Sequence, residues 1–359
     1  MIEVNTKSEK VYIGFDVSQE KIAVYGVYDE NHSQNATIDN SKASIAHFLS
    51  MFKEPEKLCV VMETGTHSLW MSRFIESLGI EVIVAHARKL HLIYGGDKKN
   101  DALDARHLAE LGRIDRDLLH PVKPMDKERQ QDLVVVKARE LLVRNRTSII
   151  NTIRGQLRSL GYSDKGFTVE NMNKKADSLP EELKPLLTPL FQQLTYLSLG
   201  LKEYDRQIRE LCKKYPDTKI LRQIAGIGEI TALAFVLRVG DATRFPTGER
   251  LSSFFGLVPK QDQSGEMDKQ GKITKDGNNS MRRLLVQAAN YIMGPFGPPC
   301  DLRDLGERIA ARGGKIGKRK AKVAVARKLV TVLYAIWRNS AVPYDPHFKA
   351  TRKKQKGIA

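Results

Sequence analysis

Two aspartates three residues apart, Asp101 and Asp104, open the stretch D-A-L-D-A-R-H-L-A-E-L, which has helical pattern. That spacing puts both carboxylates on one face of a helix, where they repel unless a cation lies between them. Two further acids stand at the ends of apolar runs, Asp16 in V-Y-I-G-F-D-V and Glu63 after L-C-V-V-M. Carboxylates at the ends of neighbouring strands and at an adjacent helix suit a hard ion such as Mg2+. Two such ions about 3.5–4 Å apart clamp the attacking and leaving oxygens of a phosphoryl transfer. Each acid also has an ordinary use: Asp101 and Asp104 offset a helix dipole, Asp16 closes an Asx-turn, and Glu63 caps the helix that follows. Which use holds depends on the elements that carry them.

Residues 11–27 read as two strands joined by the polar turn Ser18-Gln19-Glu20, with Asp16 near the end of the first. A short third strand is expected near residues 35–40, then a helix over 41–52, a buried strand L-C-V-V-M-E-T, a helix over 68–78, and the strand E-V-I-V-A. The order β, β, β, α, β, α, β, α is that of an α/β unit whose last helix carries Asp101 and Asp104. After H-P-V-K-P, residues 125–160 are helical and basic, with Ile149, Ile153, Leu157 and Leu160 at helical spacing. Residues 161–178 are polar and poorly periodic, and helical pattern resumes over 180–214, which predicts an antiparallel helical hairpin or coiled-coil arm. Its arginines, among them Arg144, Arg146 and Arg154, form either a solvated face or a nucleic-acid backbone contact.

From residue 216 onward, L-R-Q-I-A-G-I-G-E-I-T-A-L-A-F-V-L-R-V sets the turn Gly226-Ile227-Gly228 between two apolar helical segments, as in a helix-hairpin-helix element. Backbone amides at such a glycine turn bind a phosphate without reading the base. Residues 308–328 hold nine basic side chains and no acidic one, and the tail F-K-A-T-R-K-K-Q-K-G-I-A adds five more. Over the chain, 59 Lys and Arg against 42 Asp and Glu give a net charge of +17, which favours nucleic acid as partner. No apolar run reaches the ~18 residues of a spanning helix and no signal-peptide core is present, so a cytoplasmic, membrane-free protein is expected. Cys59, Cys212 and Cys300 are far apart and read as reduced thiols, neither a disulfide framework nor a zinc knuckle.

The order of a hairpin Asp, a strand-end Glu and a helical D-x-x-D resembles the RNase H-like nuclease fold in its RuvC form. That resemblance implies that Asp16, Glu63, Asp101 and Asp104 hold the metal, and that Lys98 and Lys99 lie at the cluster's edge, suited to a phosphate strand. Farther along, G-L-V-P, Ser264-Gly265, I-T-K-D-G-N and R-R-L-L occur in the order found in DEDD-class bacterial insertion-sequence transposases, which include the Piv/MooV invertases and bridge-RNA-guided recombinases. The chain resembles that family over nearly its whole length.

The resemblance implies a RuvC-like DEDD catalytic domain over 1–122, a helical coiled-coil region over 123–214, a mainly α transposase domain with helix-hairpin-helix and serine loop over 215–345, and a basic tail over 346–359. It implies DNA cutting and rejoining with Mg2+ (or Mn2+ in its place), and Ser264 as the nucleophile of a phosphoserine intermediate. It also implies a guide RNA encoded by the element, and a homo-dimer or tetramer whose active sites combine one subunit's acids with another's serine. Read from the residues alone, Ser264 is a serine in a polar loop with no histidine nearby. Its activation would fall to the metal cluster, to Lys269 or Lys272, or to a partner subunit. Lys275, Asn278, Arg282 and Arg283 are expected to hold a strand near that loop, with helix capping by Asn278 as the ordinary alternative. Competing readings are a Holliday-junction or other structure-selective endonuclease without a covalent intermediate, an actin-like ATPase built on the first hairpin, and a non-catalytic nucleic-acid scaffold.

Overall fold

The runs V-Y-I-G-F-D-V and K-I-A-V-Y-G-V form β1 (Val11–Val17) and β2 (Lys21–Val27), an antiparallel hairpin. In this computed structural model its turn is closed by Ser18, whose amide donates to the Lys21 carbonyl at 2.9 Å and whose hydroxyl accepts from the Lys21 amide at 3.2 Å. The structure describes residues 10–27, 33–94, 100–168, 171–264, 267–341 and 343–348. Contacts divide the chain into two units, Met1–Lys127 and Glu128–Ala359.

In the first unit, β3 (Ser33–Asp39) pairs antiparallel with β2 along its full length, longer than the short strand its sequence suggests. Then come α1 (Lys42–Ser50), capped by the Ser41 hydroxyl, β4 (Leu58–Glu63), α2 (Ser68–Glu76), β5 (Glu81–Ala85), α3 (Ala87–Tyr94) and α4 (Asp101–Ile114). The sheet runs β3-β2-β1-β4-β5, with β4 parallel to both β1 and β5, an RNase H-like topology. Because β4 is central and covered on both faces, it reads as an unbroken apolar run. Ile13, Phe15, Val60 and Met62 pack toward Phe48, Met71 and Ile75 on one face. Cys59, Val61 and Ile83 pack with Leu90 and Leu108 on the other.

In the second unit, α5 (Lys127–Ser159), the short α6 (Met172–Lys175) and α7 (Lys184–Lys214) make the expected arm. The Arg139 guanidinium meets Asp205 at 2.5 Å, and Lys214 meets Asp132 at 2.6 Å and Glu128 at 2.8 Å. The polar stretch after α5 is not a featureless loop: Phe167, Met172 and Leu179 close a small core with Ile150, Ile153, Leu157 and Phe191. Beyond the arm follow α8 (Asp217–Leu221), α9 (Glu229–Val239), α10 (Gly248–Phe254), β6 (Pro259–Ser264), β7 (Met267–Ile273), α11 (Asn279–Ile292), α12 (Asp301–Ala310) and α13 (Gly314–Arg338). The α13 stripe Ala321, Val325, Leu329, Leu333 is buried throughout, and Phe235 stacks between Phe255 and Trp337 at centroid distances of 5.5 and 6.0 Å. Among the described residues, no helix is long and apolar enough to cross a membrane.

Candidate active site and nucleic-acid interface

The β1–β4 register ends with Phe15 beside Met62, so the next pair along these parallel strands is Asp16 beside Glu63. Side chains alternate along a strand, so Asp16 shares a face with Gly14, and Glu63 with Val61. That face is the one α4 covers. A Cβ at Gly14 would collide with the Ala105 carbonyl and lie 2.9 Å from the Ala109 amide, and one at Gly112 would lie 2.8 Å from Val61. Glycine at position 14 is therefore what lets the helix backbone touch the sheet. The helix runs against β1, with Ala105 over Gly14 and Gly112 over Tyr12, so its N-terminus heads toward the strand ends where Asp16 and Glu63 sit. Asp104, immediately before Ala105, is half-buried, and Asp101, one turn earlier, is exposed.

Other side chains also close the turns beside these acids, while Asp101 and Asp104 stand in the first turn of α4, where they offset its dipole. Asn100 caps α4, its side-chain oxygen accepting from the Ala102 amide at 3.0 Å. Ser18 closes the turn after Asp16. The turn into α2 is held by Ser68, whose hydroxyl donates to the Gly65 carbonyl at 2.9 Å and accepts from its amide at 3.2 Å. Asp16 and Glu63 line a cavity of about 550 Å3 together with Ser18, Thr64, Thr66 and His67. His67 has no sequence signal pointing to it, since it lies in the loop before a helix. Its Nδ1 accepts from Trp70 Nε1 at 3.1 Å, with the two rings edge-on, so in the neutral imidazole the proton rides on Nε2. Among the described residues, no three His, Cys, Asp or Glu side chains stand close enough to enclose an ion. The donor set is hard oxygen, and both strands and the helix deliver it to one end of the sheet, which fits Mg2+ or Mn2+ in kind. Lys98 and Lys99 lie outside the described residues.

The serine region differs from the polar loop expected. Ser264 is the last residue of β6, paired with Met267 of β7, so it stands at the tip of a two-stranded hairpin. The family-type motifs on either side knit the base of that hairpin. A Cβ at Gly256 (φ +65°) would strike the Asp276 backbone, and one at Gly277 (φ +90°) the Phe254 carbonyl. Lys275 itself sits at φ +58°, an uncommon conformation for a side-chain-bearing residue, and is exposed. Two residues expected to hold a strand, with capping by Asn278 as the alternative, are bonded to the protein's own backbone. Arg282 is 8% exposed, and its guanidinium donates to the carbonyls of Phe255, Asp276 and Gly277 at 3.2, 3.3 and 3.0 Å. Asn278 caps α11, accepting from the Met281 amide at 2.8 Å. Both side chains brace the hairpin's base by pairing with backbone groups that its turns leave unpaired.

Arg283 is ion-paired with Glu140, which also accepts from Ser280, and these residues edge a cavity of about 850 Å3 lined by Arg144, Arg209, Lys275 and the start of α9. Arg144 is exposed there and Arg146 is half-buried with its Nε unpaired, whereas Arg154 is held by Asp164 at 2.8 Å. The two glycines of the G-I-G turn divide their work. At Gly226, φ is +86° and a Cβ would lie 3.1 Å from the Ala288 carbonyl and the Tyr291 ring, so glycine there serves the packing. Gly228 caps α9 with nothing within 4 Å of where a Cβ would sit, so its backbone is open, although Glu229, paired with Arg222 at 3.3 Å, already offsets the helix dipole.

The fold is thus an RNase H-like α/β unit followed by a largely helical region. Comparison with known proteins gives the family. The profile described as "Transposase IS116/IS110/IS902 family" matches residues 218–299, and a transposase profile of the DEDD type matches residues 13–161. The transposase for insertion sequence element IS1328 of Yersinia enterocolitica is 30% identical over 66% of this chain and 71% of its own length. The transposase for insertion sequence element IS1111A of Coxiella burnetii is 28% identical over 90% of this chain and 88% of its own length. The pilin gene-inverting protein of Moraxella bovis is 24% identical over 94% and 98%. The chain belongs to the IS116/IS110/IS902 transposase family.

Proposed function

We propose that this transposase recombines DNA through two cooperating sites, a divalent-metal site on Asp16, Glu63, Asp101 and Asp104 and a serine nucleophile, Ser264. What supports the reading is the β1–β4 register, which ends at Phe15 beside Met62 just before Asp16 and Glu63, and the course of α4, whose first turn holds Asp101 and Asp104. A Mg2+ ion held by these carboxylates would neutralise charge on the phosphate under attack. Ser264 gives up its hydroxyl proton, its Oγ bonds to phosphorus, and one bridging P–O bond breaks, its oxygen leaving as a protonated DNA hydroxyl. The phosphoserine ester keeps the bond energy, so the reverse step onto another strand's hydroxyl rejoins DNA without ATP. Lys275 and Arg144 beside the α9 cavity, and the open backbone of Gly228, are suited to hold phosphates, and Lys98 and Lys99 to do so beside the acids. His67, which lines the Asp16–Glu63 cavity, is suited to hydrogen-bond a group bound there. The serine and the acids come from two copies of the chain in a dimer or tetramer, and an RNA encoded beside the gene supplies sequence choice by base pairing, inside the bacterial cytoplasm.

The test is strand cleavage by the purified full-length chain on DNA of the gene's native flanks, with RNA transcribed from those flanks. Cleavage that needs Mg2+ or Mn2+ and disappears in Asp16→Ala, Glu63→Ala and Asp104→Ala is expected. Undiminished cleavage in those variants would overturn the metal assignment. Cleavage that survives Ser264→Ala would instead favour a structure-selective, Holliday-junction type of endonuclease.

A further inference from the structure

The cations of the arm are largely spent on neighbours: Arg139 on Asp205, Arg154 and Arg158 on Asp164, Arg206 on Glu203, Lys213 on Glu210. The hairpin of α12 and α13 is built in the opposite way. Its two helices are joined by a three-residue turn and press together closely. A Cβ at Gly317 would lie 3.0 Å from the Ala310 carbonyl, and one at Gly306 2.7 Å from Met293 and 2.9 Å from Val325. At its tip, Arg312, Lys315, Lys318, Arg319 and Lys320 are all exposed, and none of their side chains has an ion-pair or hydrogen-bond partner among the described residues. Five like charges within three helical turns repel one another, and folding gives them nothing in return.

One apolar side chain stands among them. Ile316 is 70% exposed, and on the helix its neighbours one turn on are Arg319 and Lys320. A single exposed isoleucine is ordinary on a protein surface. This one is set at the tip of a rigid hairpin within a collar of unpaired cations. The turn backbone is also open, with nothing within 4 Å of a Cβ at Gly313 or Gly314, so a ligand can reach it closely. Cations that track phosphates around a projecting aliphatic wedge are the combination by which proteins part a base step and bend duplex DNA.

We propose that the tip of the α12–α13 hairpin is a duplex-DNA docking surface, with Lys315, Lys318, Arg319 and Lys320 on phosphates and Ile316 entering a base step to bend the duplex. The inference rests on the reading of this chain as a DNA recombinase, but it concerns binding alone and is tested without chemistry. The full-length chain is titrated onto a doubly labelled duplex of the native flank in EDTA at several salt concentrations, with affinity and end-to-end energy transfer read together. A matched single-stranded RNA serves as competitor. For Lys315→Gln/Lys318→Gln/Arg319→Gln, the slope of log affinity against log salt is expected to fall by about 2.7, at about 0.9 for each B-DNA phosphate that the variant no longer neutralises. The corresponding Lys→Arg changes at 315 and 318 should keep the slope. Ile316→Ser is expected to keep the slope and lose most of the bend. All these side chains are exposed, so folding is checked by an unchanged melting curve. An unchanged slope for the triple variant overturns the docking surface. A slope that falls for RNA and not for DNA overturns duplex DNA as the occupant. A bend unaffected by Ile316→Ser overturns insertion. Failure of the serine chemistry would leave this binding result intact, so the two readings fail separately.

Discussion

Gly14→Ala should damage catalysis through geometry, without touching a reacting group. A methyl at position 14 meets backbone, the Ala105 carbonyl and, at 2.9 Å, the Ala109 amide, and backbone has no rotamer by which to yield. Helix α4 must therefore lift from β1 by on the order of 1 Å to restore ordinary contact distances. Overpacking of this kind costs about 1–3 kcal/mol, which in a unit of this size lowers Tm by roughly 4–12 °C. The lift carries Asp101 and Asp104 away from Asp16 and Glu63, and a 1 Å misplacement of catalytic groups costs roughly 100-fold in rate. Gly112→Ala is the control. Its Cβ meets the Val61 and Tyr12 side chains at 2.8 and 3.0 Å, which can adjust, and it lies at the end of the helix farther from the acids. Thermal melts and metal-dependent cleavage rates of the two variants should separate, with Gly14→Ala losing far more activity per degree of Tm than Gly112→Ala. Gly14→Ala with wild-type melting and wild-type cleavage would refute both the close helix–sheet contact and its role in assembling the site.

Three further outcomes follow from the same geometry. Arg282→Met should lose about 2–4 kcal/mol in denaturant unfolding, because three loop carbonyls lose their buried charged donor. At the arm's tip, the Arg154 hydrogen bond, against burial and helped by Arg158, holds the Asp164 carboxyl below its ordinary range. Its contribution is then full above the unfolded value of about 3.9 and is lost as pH falls through the lower folded value. Protease cleavage near residues 161–178 should rise below about pH 4 in wild type, and Asp164→Asn should show that susceptibility already at neutral pH. Burial pushes the Cys59 thiol up to about 12, so at pH 8 native protein should resist alkylation at Cys59, while half-buried Cys212 reacts first in a mass-resolved time course.

The α/β order and the position of its four acids are legible in the sequence because β1, β4 and β5 are apolar by burial and the D-x-x-D begins a helix with a clean cap. The β6–β7 hairpin is not, because P-K-Q-D-Q-S and M-D-K-Q-G-K-I lack the apolar–polar alternation of a half-buried strand and read as loop. The small core at the arm's tip is hidden for a related reason. Phe167, Met172 and Leu179 are spread over a loop, the short α6 and the turn after it, so no single period collects them. Arg282 invites a phosphate-binding reading because an arginine serving carbonyls and one serving phosphates look alike until burial is known. Likewise His67 becomes visible only when the loop before α2 is folded beside Asp16 and Glu63.

The central claim, that Ser264 takes the DNA phosphate while the four acids serve the same reaction, is tested most directly by isolating the protein–DNA adduct. The full-length chain is incubated with flank DNA, flank RNA and Mg2+, denatured, digested, and the nucleotide-bearing peptide sequenced by mass spectrometry. The account predicts a phosphodiester on Ser264, lost in Ser264→Ala and in Asp104→Ala. An adduct mapped to any other residue, or DNA rejoined at full rate by Ser264→Ala, would contradict it.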